Sequence, residues 1–242
     1  MFLPEDILYE DNHLLVVNKR CGDLVQSDPK GAPGLEDELK RHIARRDGKP
    51  GEAFLGVVHR VDRPVSGAVV FAKTSKALVR LNEMMRRREI TKTYWAVTEN
   101  VPAEPEGTLR HFLVRDSASN RSRAVLEERP GAKLAELTYK MLARSERYVL
   151  LEIGLVTGRH HQIRVQLAAV GCAIKGDLKY GARRSNTGGG ISLHSREVEF
   201  LHPVRKERLH IVAPVPAGDV LWSCFEKTVA GEASRSGKTA TA

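Results

Sequence analysis

Residues Ala68-Val69-Val70-Phe71-Ala72 form a short, unbroken apolar run rich in β-branched residues, and such a run reads as a buried strand. A strand of that kind has to be paired and covered, which commits the chain to a fold built around a sheet. Just before it, Pro64 fixes its own φ and biases Arg63 away from the helical region, while Gly67 permits a backbone turn that other residues resist. The segment His59-Arg60-Val61-Asp62-Arg63-Pro64-Val65-Ser66-Gly67 therefore sets Asp62 on a loop anchored to a strand. Cations within a few ångströms favour an ionised carboxylate, which suits a nucleophile or a base rather than a general acid. An isolated Asp-Arg pair capping a turn would look the same, so the rest of the chain has to decide.

With 242 residues, 41% of them hydrophobic, the chain can bury a substantial core as one large domain or two tightly joined lobes. Wholesale disorder is excluded. Lys and Arg number 39 against 30 Asp and Glu, a formal charge of +9, the balance expected of a protein that meets polyanions, nucleic acid first among them. The three cysteines, Cys21, Cys172 and Cys224, are far apart and form no CxxC pair, which argues against a disulfide framework or a thiolate zinc site and fits a reducing compartment. No basic-then-apolar leader opens the chain and no run approaches the roughly 20 apolar residues that span a bilayer. A cytoplasmic protein with no membrane partner is expected.

Hydrophobic periodicity gives a mixed α and β pattern without repeats. Leu14–Lys19 and Thr91–Val97 read as strands, and Leu35–Arg46 as a helix ended by the loop at 47–51. Ser75 is placed as the cap of a helix reaching Arg88, with Leu78, Leu81 and Met85 on one stripe and cations near its end. Leu137, Tyr139 and Met141, then Val149, Leu151, Ile153 and Leu155, alternate as two antiparallel strands would. From His160 the period changes: Ile163, Leu167 and Val170 share one helical face, His160 and Arg164 another, and Gly171 stands where a helix ends. Residues 182–190 read as a flexible basic loop, and Ala230–Ala242 as a disordered tail following a domain at residues 1–229.

Tyr9-Glu10-Asp11 with Leu14–Lys19, His59–Gly67 with Ala72-Lys73, Lys92-Thr93-Tyr94, and Gly158-Arg159-His160-His161-Gln162-Ile163-Arg164 with Gly171 and Gly176–Gly181 resemble the ordered motifs of the RluA-type pseudouridine synthase family. The resemblance runs from about Ile7 to about Pro214. It implies an α+β fold with a central mixed, largely antiparallel sheet, flanking helices and a basic cleft. It also implies a uridine isomerase acting on ribosomal or transfer RNA with no metal or organic cofactor. By the same resemblance Asp62 is the catalytic aspartate, Tyr94 lies against the target base and is implicated in proton removal, and Arg164 pairs with the aspartate. The three roles cohere physically. Breaking the bond from uracil N1 to the sugar, turning the base and rejoining it through C5 needs a carboxylate near the sugar and a group that keeps the freed base in place.

A stacked uridine has to be extruded at a cost of a few kcal/mol, offset by phosphate contacts and stacking. Arg60, Arg63, Arg86, Arg87, Arg88, Lys92, His160, Arg183 and Arg184 are candidate RNA contacts, each as readily a solvated surface residue when taken singly. Against the family pattern, Val61 stands for leucine, Arg20-Cys21 for proline and a small residue, and Gln166 for a common histidine. These departures bear on substrate contacts more than on chemistry. No S4-type RNA-binding domain is expected ahead of the catalytic region, and a monomer is expected. Two rivals remain: a catalytically inactive RNA-binding protein on the same scaffold, and a metal-dependent hydrolase using His160, His161 and Asp62.

Overall fold

The computed structural model describes residues 2–28, 31–48 and 50–236. In chain order its elements are β1 (Ile7–Glu10), β2 (Leu14–Lys19), α1 (Leu35–Arg46), β3 (Gly56–Val57), β4 (Ser66–Ala72), α2 (Ser75–Arg86), β5 (Thr91–Thr98) and β6 (Glu106–Asp116). There follow β7 (Arg121–Val125), β8 (Ala132–Arg144), β9 (Val149–Leu155), α3 (Gln162–Ala169), β10 (Leu193–Leu201), β11 (Arg208–Val212) and α4 (Val220–Ser236). This is an α+β fold whose strand pairing is largely antiparallel. The chain divides into two compact units, Met1–Thr93 with Thr187–Ala213, and Tyr94–Asn186 with Pro214–Ala242.

In the first unit β4 is buried along its whole length because both faces are covered. Ala68, Val70 and Ala72 point with Leu14 and Val16 into a cluster closed by Ala77 and Leu81 of α2 and by Val198, Phe200 and Ile211. Val69 and Phe71 point with Leu15 and Val17 into a second cluster closed by Leu35, Leu39 and Ile43 of α1. That explains why the sequence shows an unbroken apolar run where a half-buried strand would alternate. Burying each of the Val, Leu, Ile and Phe side chains here stabilises by roughly 1.5–3 kcal/mol. Strand β2 runs antiparallel along one edge of β4 from Leu14 opposite Ala72 to Lys19 opposite Gly67. The other edge is shared: β10 pairs in parallel at Ser66 and Gly67, and β3 antiparallel at Phe71 and Ala72. Gly67 is required twice over, since its φ is +109° and a Cβ there would lie 2.3 Å from the Ser195 carbonyl oxygen.

In the second unit β7, β6, β8 and β9 form an antiparallel meander, with β5 beside β9. Helix α4 covers Trp95, Val97, Ala143 and Leu150 with Trp222 and Phe225, and Val165 of α3 meets Leu113 and Ala135. The long hairpin β6–β7 is absent from the sequence reading because only Leu113 of β6 is buried, so its period is faint.

Helix α1 and the β8–β9 pair match expectation, and three details differ. Thr74, not Ser75, caps α2, its hydroxyl accepting from the Ala77 N–H at 3.2 Å. Helix α3 is not amphipathic: Gln162, Ile163, Arg164, Val165, Gln166 and Leu167 are all buried, and Val170, expected on the apolar face, is exposed. Gly171, with φ +76°, does end it, as the Cys172 N–H reaches back to the Leu167 carbonyl. The segment 230–242, expected to be disordered, is helical as far as Ser236, since Leu221, Trp222, Phe225 and Val229 anchor the preceding turns of α4; residues 237–242 lie outside the described residues. Among the described residues no helix is long and apolar enough to cross a membrane.

Candidate active site

Asp62, Arg60, Arg63, Lys92 and Arg86–Arg88 belong to the first unit; Tyr94, His160, Arg164, Arg183 and Arg184 belong to the second.

The Asp62 loop is a tight turn closed by the Val65 N–H on the Asp62 carbonyl at 3.0 Å. The segment at 19–22 clamps it from one side. Lys19 Nζ donates to the Arg63 carbonyl at 3.2 Å and to the carbonyls of Arg20 and Asp23 at 2.9 and 2.8 Å. The Gly22 N–H donates to the same Arg63 carbonyl, and Cys21 Sγ donates to the Pro64 carbonyl at 3.4 Å. The Ile191 N–H donates to the same Pro64 carbonyl. Lys19 is only 1% exposed. Burial pulls its ammonium down to about 8, opposed by the charges of Asp23, Cys21 and Asp62. A buried cation thus stands beside the candidate carboxylate and fastens the backbone that carries it.

Arg63 is exposed, but its Nε donates to the Gly22 carbonyl at 2.9 Å, so it closes the clamp. Arg60 is exposed and donates to the Gln26 side-chain oxygen at 3.4 Å. Arg86 and Arg87 both pair with Glu83, and Arg88 follows with φ +61° as α2 ends. Half-buried Lys92 has its ammonium lowered by burial. Beside it His59 is buried and accepts the Val70 N–H through Nε2 at 3.1 Å; burial, then the Lys92 charge, push its imidazole down to about 3.

In the second unit the turn Arg159–Gln162 launches α3. The Gln162 side chain accepts from the Arg159 N–H and the Thr157 hydroxyl and donates to the Glu136 carbonyl. His161 sits at the helix cap with φ +54°, in the left-handed region. His160 therefore precedes the helix and does not share a helical face with Arg164. The two histidine rings stack, with centroids 3.7 Å apart and planes at 24°. His160 reaches Ser122 Oγ through Nδ1 at 2.9 Å and Asn120 Oδ1 through Nε2 at 3.1 Å. Among the described residues no three His, Cys, Asp or Glu side chains lie together as metal ligands, which leaves the hydrolase reading without a ligand set there.

Arg164 is 5% exposed and forms a bidentate pair with Asp177, Nε to Oδ2 at 2.6 Å and Nη2 to Oδ1 at 2.8 Å; Asp177 is 1% exposed. Its guanidinium also lies over the Tyr180 ring, 5.0 Å from the centroid. Tyr94 is 6% exposed at the start of β5 in this unit. Trp95 packs under α4, so strand alternation turns Tyr94 to the opposite face. Arg183 and Arg184 are exposed, with the Arg183 N–H on Glu99. Gln166, an expected source of altered substrate contact, is fully buried and donates to the carbonyls of Leu109 and Ala135, so it joins α3 to the meander.

Sequence reasoning passed over Lys19 and Asp177 as site residues. Both lie in segments that carry the resemblance, and Asp177 is the acid whose spacing from Arg164 no local periodicity relates.

Comparison with known proteins identifies the family. A family model described as RNA pseudouridylate synthase matches residues 13–169. Over 230 residues the chain is 36% identical to ribosomal large subunit pseudouridine synthase D of Xylella fastidiosa, covering 88% of this chain and 67% of that protein. It is 35% identical over 214 residues to YhcT, an uncharacterised RNA pseudouridine synthase of Bacillus subtilis, covering 88% and 69%. Among solved structures, human RNA pseudouridylate synthase domain containing 4 superposes with a TM-score of 0.76 at 25% identity, over 93% of each chain. The chain belongs to the RNA pseudouridylate synthase family, and within it to the RluA type. It is an isomerase that acts on RNA.

Proposed function

We propose that this enzyme converts specific uridines of ribosomal or transfer RNA to pseudouridine with Asp62 as its catalytic carboxylate, Tyr94 against the base and Arg164 as the cation serving the aspartate, without a cofactor. The observation that carries the reading is the clamp on the Asp62 loop: five hydrogen bonds from Lys19, Cys21, Gly22, Arg63 and Ile191 fix the turn. Asp62 attacks the ribose or assists departure of the base; the N1–sugar bond breaks, uracil turns, and C5 bonds to the sugar. The proton leaving C5 is matched by one taken up at N1, so the net change is isomerisation. A catalytic domain at residues 1–229, working as a monomer in the cytoplasm, completes the proposal.

Ribosomal RNA is favoured because several relatives carry ribosomal large subunit names. Mapping pseudouridines across ribosomal and transfer RNA with and without the gene tests the substrate. Sites lost in the deletion and regained with the wild-type gene name the target; restoration of those sites by Asp62→Ala overturns the catalytic assignment. Activity undiminished by a chelator is expected.

A further inference from the structure

The hairpin β6–β7 carries Arg115, Arg121 and Arg123, all exposed, and none forms a salt bridge among the described residues, whereas Arg110 at the hairpin's base is held by Glu136. The register sets Arg121 opposite Asp116 and Arg123 opposite Val114, so these two arginines project from one face, roughly 7 Å apart along the strand. Arg115 lies opposite Ser122 and projects from the other face. Asp116, the one acid between Arg110 and Val125, accepts from the Ala118 and Ser119 N–H groups and the Ser119 hydroxyl; these bonds and, least of the causes, the Arg123 charge hold its carboxyl below the usual range, with no salt bridge formed to that arginine.

The tip of this hairpin is not left to move alone. His160 engages Asn120 and Ser122 with its two ring nitrogens, and Ser122 Oγ also donates to the His160 carbonyl at 2.9 Å. Lys179 Nζ donates to the Asn120 carbonyl at 3.0 Å. The Tyr180 hydroxyl accepts the Ser122 N–H at 2.8 Å and meets His161 Nδ1 at 2.8 Å, while its ring lies over Arg164. The hairpin, the start of α3 and the turn holding Asp177 are thus one hydrogen-bonded assembly, and His160 is its central fastener.

We propose that β6–β7 is a phosphate-binding arm, with Arg115, Arg121 and Arg123 contacting the RNA backbone, and that His160 is a positioning residue for the arm rather than an RNA contact itself. The inference rests on the RNA isomerase reading above and deepens it. Exposed arginines that form no salt bridge bind phosphate without first breaking a protein ion pair, and their fork suits phosphate oxygens. Arg86 and Arg87, by contrast, have to leave Glu83. Fixing the arm before RNA arrives removes an ordering cost from binding.

The test uses full-length protein, a fluorescein-labelled uridine-containing stem–loop transcript for affinity, and total RNA tritiated at uridine C5 for activity. Arg121→Ala with Arg123→Ala should weaken binding about ten-fold or more and reduce the slope of log K against log salt by about 1.5–2. Arg147→Ala, an exposed cation outside the arm, should leave the slope within its error. His160→Ala should weaken binding several-fold in the wild-type background, by a smaller factor once Arg121 and Arg123 are gone, and very little when Arg115→Ala is added to them, because it acts through these three. An unchanged slope in the double variant overturns the arm, and a His160→Ala loss of the same size in every background overturns the positioning role. Tritium release by Asp62→Asn equal to wild type would instead strike the underlying catalytic reading, whatever the arginine variants do.

Discussion

The two units place their candidate catalytic groups by different means. In the first, Asp62 rides on a loop fixed through main-chain atoms: the carbonyls of Arg63 and Pro64 are gripped by Lys19, Cys21, Gly22 and Ile191, and Gly67 lets the strand after it approach β10 closely. In the second, Arg164 sits in a helix buried on every side and is aimed by side chains, Asp177 in its fork and Tyr180 across its face. A carboxylate that has to reach a substrate stays half-exposed, so the protein restrains the backbone beneath it. A guanidinium that is only 5% exposed has to be matched by a charge, so the protein supplies one.

The sharpest break of that comparison is Asp177→Asn. Removing one partner of a buried ion pair leaves Arg164 uncompensated, and a loss on the order of 3–5 kcal/mol is expected in denaturant unfolding, with a fall in saturating rate of at least about a hundred-fold. A variant that unfolds like wild type would mean that the pair is not what holds Arg164. Next in size, Gly67→Ala should cost about 1–3 kcal/mol from its left-handed backbone alone, and more from the clash with the Ser195 carbonyl. Here the Ala protein should lose activity beyond its loss of stability, because the substitution moves the strand that anchors the Asp62 loop. Equal activity per folded molecule would show that the loop is positioned independently of that strand.

Acid should separate the two regions in turn. His59 stays neutral in the folded state down to about pH 3, while in the unfolded chain it takes up a proton near 6.5. The unfolded state therefore binds more protons between those values, and stability contributed here is intact above pH 6.5 and lost as pH falls through that window, by a few kcal/mol in all. Unfolding free energies measured from pH 7 to 4 should slope downward with acidification, and His59→Gln should flatten the slope; an equal slope in the variant contradicts the assignment. The smallest expected effect is at a position that serves neither site. Thr74→Ala removes the cap of α2 and should cost about 1 kcal/mol without changing rate.

How much of this was legible from sequence follows the same division. The apolar run of β4, the helix Leu35–Arg46 and the β8–β9 pair could be read because burial there is apolar and periodic. Helix α3 misled because its polar residues are buried: Gln162, Arg164 and Gln166 are residue types that usually face solvent on a helix, yet each is matched by a specific partner far away in sequence. Asp62 stood out through its turn chemistry and Arg164 only through the family resemblance. Lys19 and Asp177 stayed hidden, since a lysine at a strand end and an aspartate in a glycine turn look like ordinary surface residues until the chain is folded. His160 was misplaced for a related reason: a left-handed residue at His161 starts the helix later than hydrophobic periodicity suggests.

The most direct measurement is tritium release from RNA labelled at uridine C5, by wild-type enzyme and by Asp62→Asn at equal folded concentration. Loss of the C5 proton accompanies every turnover, so wild type should release tritium to a plateau set by its target sites. Asp62→Asn, which keeps the clamped turn and its shape, should release none above background while still binding RNA. Release by the variant at the wild-type rate would contradict the assignment of Asp62 as the catalytic carboxylate.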